Sequence, residues 1–569
     1  MTYVDCYHDR KKNRIHVAER DANGHRQLVD YPAEYVFYYT HPAGSSQSIY
    51  GDSCRKYSTN DGQKFKRELR RYEMDTDRNG QPKHKIFESD INPIFRCLAD
   101  QYRGADAPKL NLGFFDIETG FCQTRGFAPA SDPFNPITAI SIYLSHVERC
   151  VALVLKPKTY SFEDAQAICS KFEDTFLFDD EGELLKTFLQ IIDEVDCLSG
   201  WNSTLFDIPY IVNRITRVLG GDYTRQLCLW NQKPRPRMVP RYGKEHESFD
   251  IVGRCHLDYL ELYQKHNPQQ QQSYRLDAIG EIEVNENKVQ YDGTLDDLYH
   301  KDFYKFIDYS RQDVLLLMKI DKKKQFIELA NQIAHVNYVL LKTTMGSVTL
   351  VEQAIINEMH DMGLVVPCRK AKIEDVFVPE EGSDEEDDEE SGPVVGAYVA
   401  KPKQGIHTHV GCVDINSLYP SAIRALNMSP ETIVGQLRPT ETKALIQERL
   451  AAGTKRAECW DGLFSSLEFQ HVVDRSGAPV TVDFEDGTTK EMSGRQLHDM
   501  IFEPKNKLCI SANGTIFSTA KEGIIPMLLA KWYSERKVLQ ANKAMWSDLS
   551  DEGLEIPADL AEQLATLLK

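Results

Sequence analysis

The run "LNLGFFDIETG", residues 110–120, constrains the fold more than any other stretch of the chain. Phe114 and Phe115 mark it as a buried strand, yet Asp116 and Glu118 stand two apart within it. Side chains alternate along a strand, so both carboxylates leave from one face and can meet one divalent ion. Two acids in a buried strand need a metal or another partner. An Asp-x-Glu pair by itself is more often solvated surface, so the neighbouring segments decide the matter.

From about Lys109 to Leu340, buried strand candidates ("LNLGFFDIE", "ITAISIYL", "CVALVL") alternate with amphipathic helices, for example Glu183 to Asp193 and Asp313 to Val339. That alternation predicts an α/β domain on a mixed sheet. The first hundred or so residues mix short strands ("EYVFYYT") with a basic helix near 63–72. Residues 375–395 are acidic and bounded by Pro379 and Pro393, which reads as a linker. Beyond it come "VVGAYV", a strand ending on Asp414, a helix from about Ser417 to Leu426, a hairpin near 474–490 and a long helix after Pro526.

A length of 569 residues suggests about three to five domains. No stretch near 18 apolar residues and no basic-plus-apolar leader occurs, so neither membrane insertion nor secretion is expected. The 13 cysteines are scattered, which fits reduced thiols better than a disulfide framework or a zinc site. The net charge of −19 argues at first against a polyanionic partner. Residues 380–390 alone hold nine acids, leaving about −10 for the rest. Such a block is expected to be solvated and disordered, either a bare linker or a DNA-mimicking segment. Basic clusters at 64–71, 233–244 and 319–324 leave room for a local DNA channel.

Two further segments supply partners for Asp116 and Glu118. "LSGWNSTLFDIPYIVNR" puts Asp207 at a helix start, where alone it would read as a cap. "YSRQDVLLLMKID" puts Tyr309 and Asp313 four apart, on one face if the helix begins there. Alone, Asp313 reads as a polar residue at the mouth of an apolar helix. A decoy, "YEMDTDRNG", imitates the opening of a calcium loop, but its twelfth position is Ile86 and its eighth is Pro82. It reads as a surface turn. "VDFEDG" at 482–487 reads as an exposed hairpin.

The order Asp-x-Glu, Asn-x(4)-Asp, Tyr-x(3)-Asp resembles the three Exo motifs of the DEDDy proofreading exonucleases. "DINSLYPS" resembles polymerase motif A, and further agreement lies in "LDYLELY", "YRLDAIGE" with "KVQYDG", "GAYVAKP", "NMSPETI" and "SANGTIFSTAKEGIIP". The chain thus resembles the family B DNA polymerases, the replicative enzymes of T-even-like bacteriophages in particular. The resemblance is weak before about residue 105 and strong from there to about 537.

It implies an α/β and α+β multidomain chain. The expected parts are an N-terminal mixed domain (1–108, with 341–378 returning to it), an RNase H-like DEDDy 3′→5′ exonuclease domain (109–340) and an acidic linker (379–393). A partial palm with motif A (394–520) and the start of the fingers (521–569) complete the list. Asp116, Glu118, Asp207 and Asp313 would hold two Mg²⁺ ions, and Tyr309 would orient the attacking water. Asp414 would ligate further ions at a polymerase site. Backbone amides from Asn416 to Tyr419, including Leu418, would cradle the dNTP together with Ser417. Tyr419 would lie under the deoxyribose and select against a 2′-hydroxyl; without the flanking motif it would read as a core tyrosine at a strand-to-helix turn. Arg536 resembles a fingers arginine that contacts triphosphate, although Gln540 stands where the family has lysine; Lys537 and Lys543 are the nearest cations.

No fingers motif B and no Asp-Thr-Asp hairpin, motif C, follows Asp414. The expectation is therefore a chain ending inside the fingers, either cut there or naturally split between two genes. The capped tail "SDEGLEIPADLAEQLATLLK" reads as a natural terminus or a break in a helical linker, and the split is the working hypothesis. Such a subunit would degrade single-stranded 3′ ends, bind primer–template DNA and need a second chain carrying motifs B and C for synthesis. A sliding clamp and other replisome proteins are further candidate partners, and the host cytoplasm is the expected location. The alternatives are a stand-alone 3′→5′ exonuclease and a DNA-binding assembly module, each with an inactive polymerase remnant.

Overall fold

The computed structural model describes residues 1–241, 243–369, 403–415, 417–455, 458–463 and 465–551. The acidic run 380–390 and the 379–393 linker, "GAYVAKP", Asn416 and the tail from 552 onward lie outside the described residues. The chain forms two compact units, Met1–Ser48 with Asp52–Cys368, and Ile49–Gly51 with Arg369–Lys569.

In the first unit, the strands Thr2–Asp9, Arg14–Arg20 and Arg26–Pro32 form an antiparallel meander. A second small sheet contains Tyr35–Thr40 and Ser53–Thr59. Its edge is completed by Leu364–Val365, which pairs parallel to Ser46–Ser48, so the chain returns to this sheet more than 300 residues later. The return is pinned by buried Glu88, which accepts hydrogen bonds from Arg96, His360 and the Val366 amide.

The larger part of this unit is built on a six-stranded sheet in the order Thr175–Phe178, Arg149–Leu155, Ile137–Leu144, Leu112–Thr119, Cys197–Gly200, Cys255–Asp258. The Ile137–Leu144 strand runs antiparallel to both of its neighbours, and the remaining pairs are parallel. The mixed sheet expected from the alternating pattern is therefore present. Phe115 and Ile117 pack into one apolar core with the helices Glu181–Ile191 and Asp207–Val218. Phe114 faces the other core, shared with Val314, Leu317 and Ile320 of the helix Phe303–Lys324. A central strand covered on both faces has to be apolar on both faces, which accounts for the Phe-Phe pair.

One expected helix, Asp313 to Val339, is instead two helices, Phe303–Lys324 and Phe326–Val336. The first begins early because Asp302 caps it by accepting from the Lys305 amide, and Phe303, Phe306 and Ile307 already belong to its buried face. It ends where Gln325 turns left-handed, with φ of 53°. Asp313 thus sits in mid-helix, not at a mouth.

In the second unit, five antiparallel strands between Ile433 and Ser518 form one sheet, and the hairpin Pro479–Phe484/Thr489–Ser493 turns at Gly487. The helix Leu418–Ala425 packs against the long helix Ile524–Asp551, which starts two residues before Pro526. The strand expected to end on Asp414 is absent: residues 403–415 hold no strand. A strand exists only by pairing its amides and carbonyls with a neighbour, and none of the five strands of this sheet pairs with the segment. Among the described residues, no helix is long and apolar enough to cross a membrane.

Candidate active site

On the Leu112–Thr119 strand, Asp116 and Glu118 point with Phe114 towards the helix Phe303–Lys324. Asp116 lies opposite Ser141 of the neighbouring strand in the ladder. Ser141 and Ser310, both fully buried, share a hydrogen bond of 2.8 Å that fixes the helix one turn before Asp313. Oxygen atoms of Asp116, Glu118 and Asp313 consequently come within 4.8 Å of one another. Among the described residues, this is the one group of three or more potential metal ligands so placed.

Asp207 completes the surroundings from a third element. It is the first residue of the helix Asp207–Val218, but it does not cap that helix. Its Oδ1 accepts the Ile117 amide at 3.2 Å, so it is bound to the strand between the two acids. After burial, Asp207 is the strongest influence raising the Asp116 pKa. A cap was the simplest sequence reading of Asp207, and the strand amide has taken the place of the helix amides.

Burial and mutual repulsion push Asp116 and Glu118 well above the usual carboxylate range. Burial lifts Asp207 to about 7, against hydrogen bonds from backbone amides that lower it. Asp313 is also raised by burial, and Lys288 opposes the rise. Four desolvated acids at one place demand a positive charge. Lys288 supplies part of it: its Nζ donates to Asp313 Oδ2 at 2.6 Å and to the Tyr309 hydroxyl at 3.3 Å. Burial works against the Lys288 charge, but Asp313, Asp116 and Glu118 together hold its pKa above the ordinary lysine value. The loop carrying Lys288 is anchored to the same helix through Glu286, which receives Lys319 at 2.7 Å.

One ammonium does not satisfy the cluster. Asp313 Oδ1 is buried and has no hydrogen-bond partner. An orphaned carboxylate oxygen among acids, with no sulfur or imidazole ligand in the group, fits a hard divalent cation such as Mg²⁺ or Mn²⁺. Tyr309, half-buried one turn before Asp313, stacks edge-on against Tyr291. Two exposed rings, Phe121 and Phe127, meet edge-to-face at 5.0 Å in the loop that follows the acidic strand.

Two family models match the chain. The one described as "DNA polymerase family B, exonuclease domain" matches residues 69–279, and the one described as "DNA polymerase family B" matches residues 338–555. This chain belongs to DNA polymerase family B. The DNA-directed DNA polymerase of Escherichia phage RB69 is 30% identical over 352 residues, 58% of this chain and 37% of that protein. The DNA-directed DNA polymerase of Enterobacteria phage T4 is 26% identical over 362 residues, 63% of this chain and 33% of that protein. The DNA polymerase of Archaeoglobus fulgidus is 26% identical over 282 residues, 46% of this chain and 30% of that protein. The chain spans about a third of the length of the curated relatives it matches. Divalent metal use follows from the family in general.

The family B residues of the second unit are not gathered in the same way. Asp414 is exposed on the irregular segment, between Val413 at 93% and Ile415 at 60% exposure. Ser417 precedes the helix with a left-handed φ of 54°, and Leu418 and Tyr419 open that helix, Tyr419 being 71% exposed. Arg536 is exposed on the long helix that this shorter helix packs against. Lys288, Ser141 and Ser310 were not singled out by sequence reasoning. Lys288 sits within "KVQYDG", where only its likeness to the family marked it.

Proposed function

We propose that this chain is the N-terminal part of a replicative family B DNA polymerase, holding a complete proofreading site and half of a polymerase site. The first site is read as RNase H-like and of DEDDy type, cleaving the 3′-terminal nucleotide from single-stranded DNA. The observation that carries this is the convergence of Asp116, Glu118 and Asp313 within 4.8 Å, with Asp313 Oδ1 left buried and unpartnered. Two Mg²⁺ ions held there with Asp207 would supply Lewis acidity at the phosphoryl group and an activated water. Tyr309 orients that water through its hydroxyl. Lys288 keeps Tyr309 and Asp313 in register and offsets the negative charge of the acids as the phosphate approaches. Phe121 and Phe127 offer faces on which the bases of a frayed 3′ end stack.

The second site is read as a half. Two-metal nucleotidyl transfer needs a second carboxylate beside the first, and among the described residues no group of three or more potential metal ligands contains Asp414. In this reading Asp414 ligates metal, Ser417, Leu418 and Tyr419 receive the dNTP, and Arg536 reaches its triphosphate. The missing carboxylate comes from polypeptide outside these 569 residues, with exposed Val410, Val413 and Ile415 forming part of the surface that it covers.

The exonuclease reading is tested with a 5′-labelled single strand and Mg²⁺. The purified chain is expected to shorten it stepwise from the 3′ end, and Asp116→Ala/Glu118→Ala is expected to reduce this to background. Undiminished shortening by the double variant removes the site assignment.

A further inference from the structure

Asp207 hangs at the end of a short turn, 201–206, and the fixing of that turn involves groups that the proposed reaction leaves without a role. The turn leaves the sheet at Gly200, where a Cβ would stand 2.9 Å from the Phe115 carbonyl oxygen and 2.8 Å from Ser203 Cβ. It therefore lies directly on the backbone that precedes Asp116. Opposite Gly200 in the parallel ladder stands Asp258, only 2% exposed. Asp258 Oδ1 accepts the Asn202 amide at 2.9 Å and the Leu260 amide at 3.0 Å, while Oδ2 accepts the Thr204 amide at 2.9 Å. Capping its own helix, Tyr259–His266, requires only the Leu260 bond. The other two reach back 56 and 54 residues to the turn.

The rest of the turn is tied down in the same manner. Ser248 Oγ donates to the Thr204 carbonyl at 2.7 Å, and Ser203 shares a hydrogen bond of 2.8 Å with His256. The Ser203 carbonyl in turn receives the Ile208 amide, the residue after Asp207. Asn202 holds a left-handed φ of 61° within this frame.

We infer that Asp258 is a positioning residue for the carboxylate cluster: by fixing the turn 201–206 it places Asp207, and so sets the affinity of the site for divalent cation. The inference rests on the reading of the cluster as a metal site. Partners that orient ligands in this way change metal affinity about ten- to a hundredfold when lost.

The test is calorimetric titration of the full chain with Mn²⁺ alone, with circular dichroism to establish folding. Asp258→Asn keeps the shape but turns an amide donor towards an N–H of the turn; its Mn²⁺ dissociation constant is expected to rise about tenfold. Ser248→Ala, which frees the Thr204 carbonyl, is expected to shift it in the same direction by less. Asp180→Ala removes a cap of similar strength from the helix Glu181–Ile191 in the same domain and is expected to leave the constant unchanged. Wild-type affinity in folded Asp258→Asn overturns the inference, as does an equal loss in Asp180→Ala. If Asp258→Asn does not fold, Ser248→Ala decides, and wild-type affinity there overturns it. A wild-type chain that binds no Mn²⁺ overturns the metal-site reading and this inference with it.

Discussion

At the scale of single residues, the candidate site is a problem of unbalanced charge. Asp116, Glu118, Asp207 and Asp313 are desolvated together, and Lys288 is the cation that the protein itself brings to them. Replacing Lys288 with Met keeps the stem and removes the ammonium; turnover on single-stranded DNA is expected to fall about a hundredfold, the scale of losing one positioned donor. Unchanged turnover would reduce Lys288 to a structural ion pair. The acids were legible in the sequence because Asp-x-Glu inside a Phe-Phe strand is chemically odd. Lys288 was not, because a lysine in a loop is ordinary until the fold brings it 2.6 Å from Asp313. Ser141 and Ser310 were hidden for the same reason: two serines 169 residues apart carry no local signal of a shared hydrogen bond.

At the scale of elements, long-range joints hold the scaffold of the site. Arg20 of the Arg14–Arg20 strand and Asp196, both about 1% exposed, form a two-point ion pair, and Arg26 adds a third bond at 3.1 Å. The pair links the N-terminal meander to the entry of the Cys197–Gly200 strand. Asp196→Ala strands two arginines and is expected to cost about 3–5 kcal/mol in urea unfolding; a loss below about 1 kcal/mol would show the joint to be dispensable. At the second joint, burial alone would raise the Glu88 pKa, but the hydrogen bond and charge of His360, with Arg96, hold it below the usual range. A depressed folded pKa stabilises above the unfolded value, about 4.3, and that contribution is lost as pH falls through the folded value. The drop in stability between pH 6 and pH 3 is therefore expected to be smaller in Glu88→Gln than in the wild type, as read by thermal unfolding. An equal drop would remove Glu88 from the acid response. The mixed sheet was readable from the alternation of apolar runs with amphipathic stretches. The break at Gln325 was not, since apolar periodicity continues across it into Phe326 and Ile327. The Asp414 strand failed for the complementary reason: an apolar run signals burial, while strand formation depends on a neighbour the run itself does not encode.

At the scale of the whole molecule, the proposed function gives the chain two sites of different completeness. The family assignment covers both units, and among the described residues the one group of three or more potential metal ligands lies in the first. If Asp414 is an active half-site, Asp414→Ala abolishes any synthesis restored by adding the remaining polymerase polypeptide; unaffected synthesis would make the second unit a remnant beside a working nuclease. The most direct test uses the purified chain alone with a 5′-labelled primer–template, Mg²⁺ and all four dNTPs, read as primer length over time. The expected result is a primer that only shortens, from its 3′ end, and never grows. Robust extension by the chain alone, or a primer of unchanged length, would contradict a complete exonuclease site paired with half of a polymerase site.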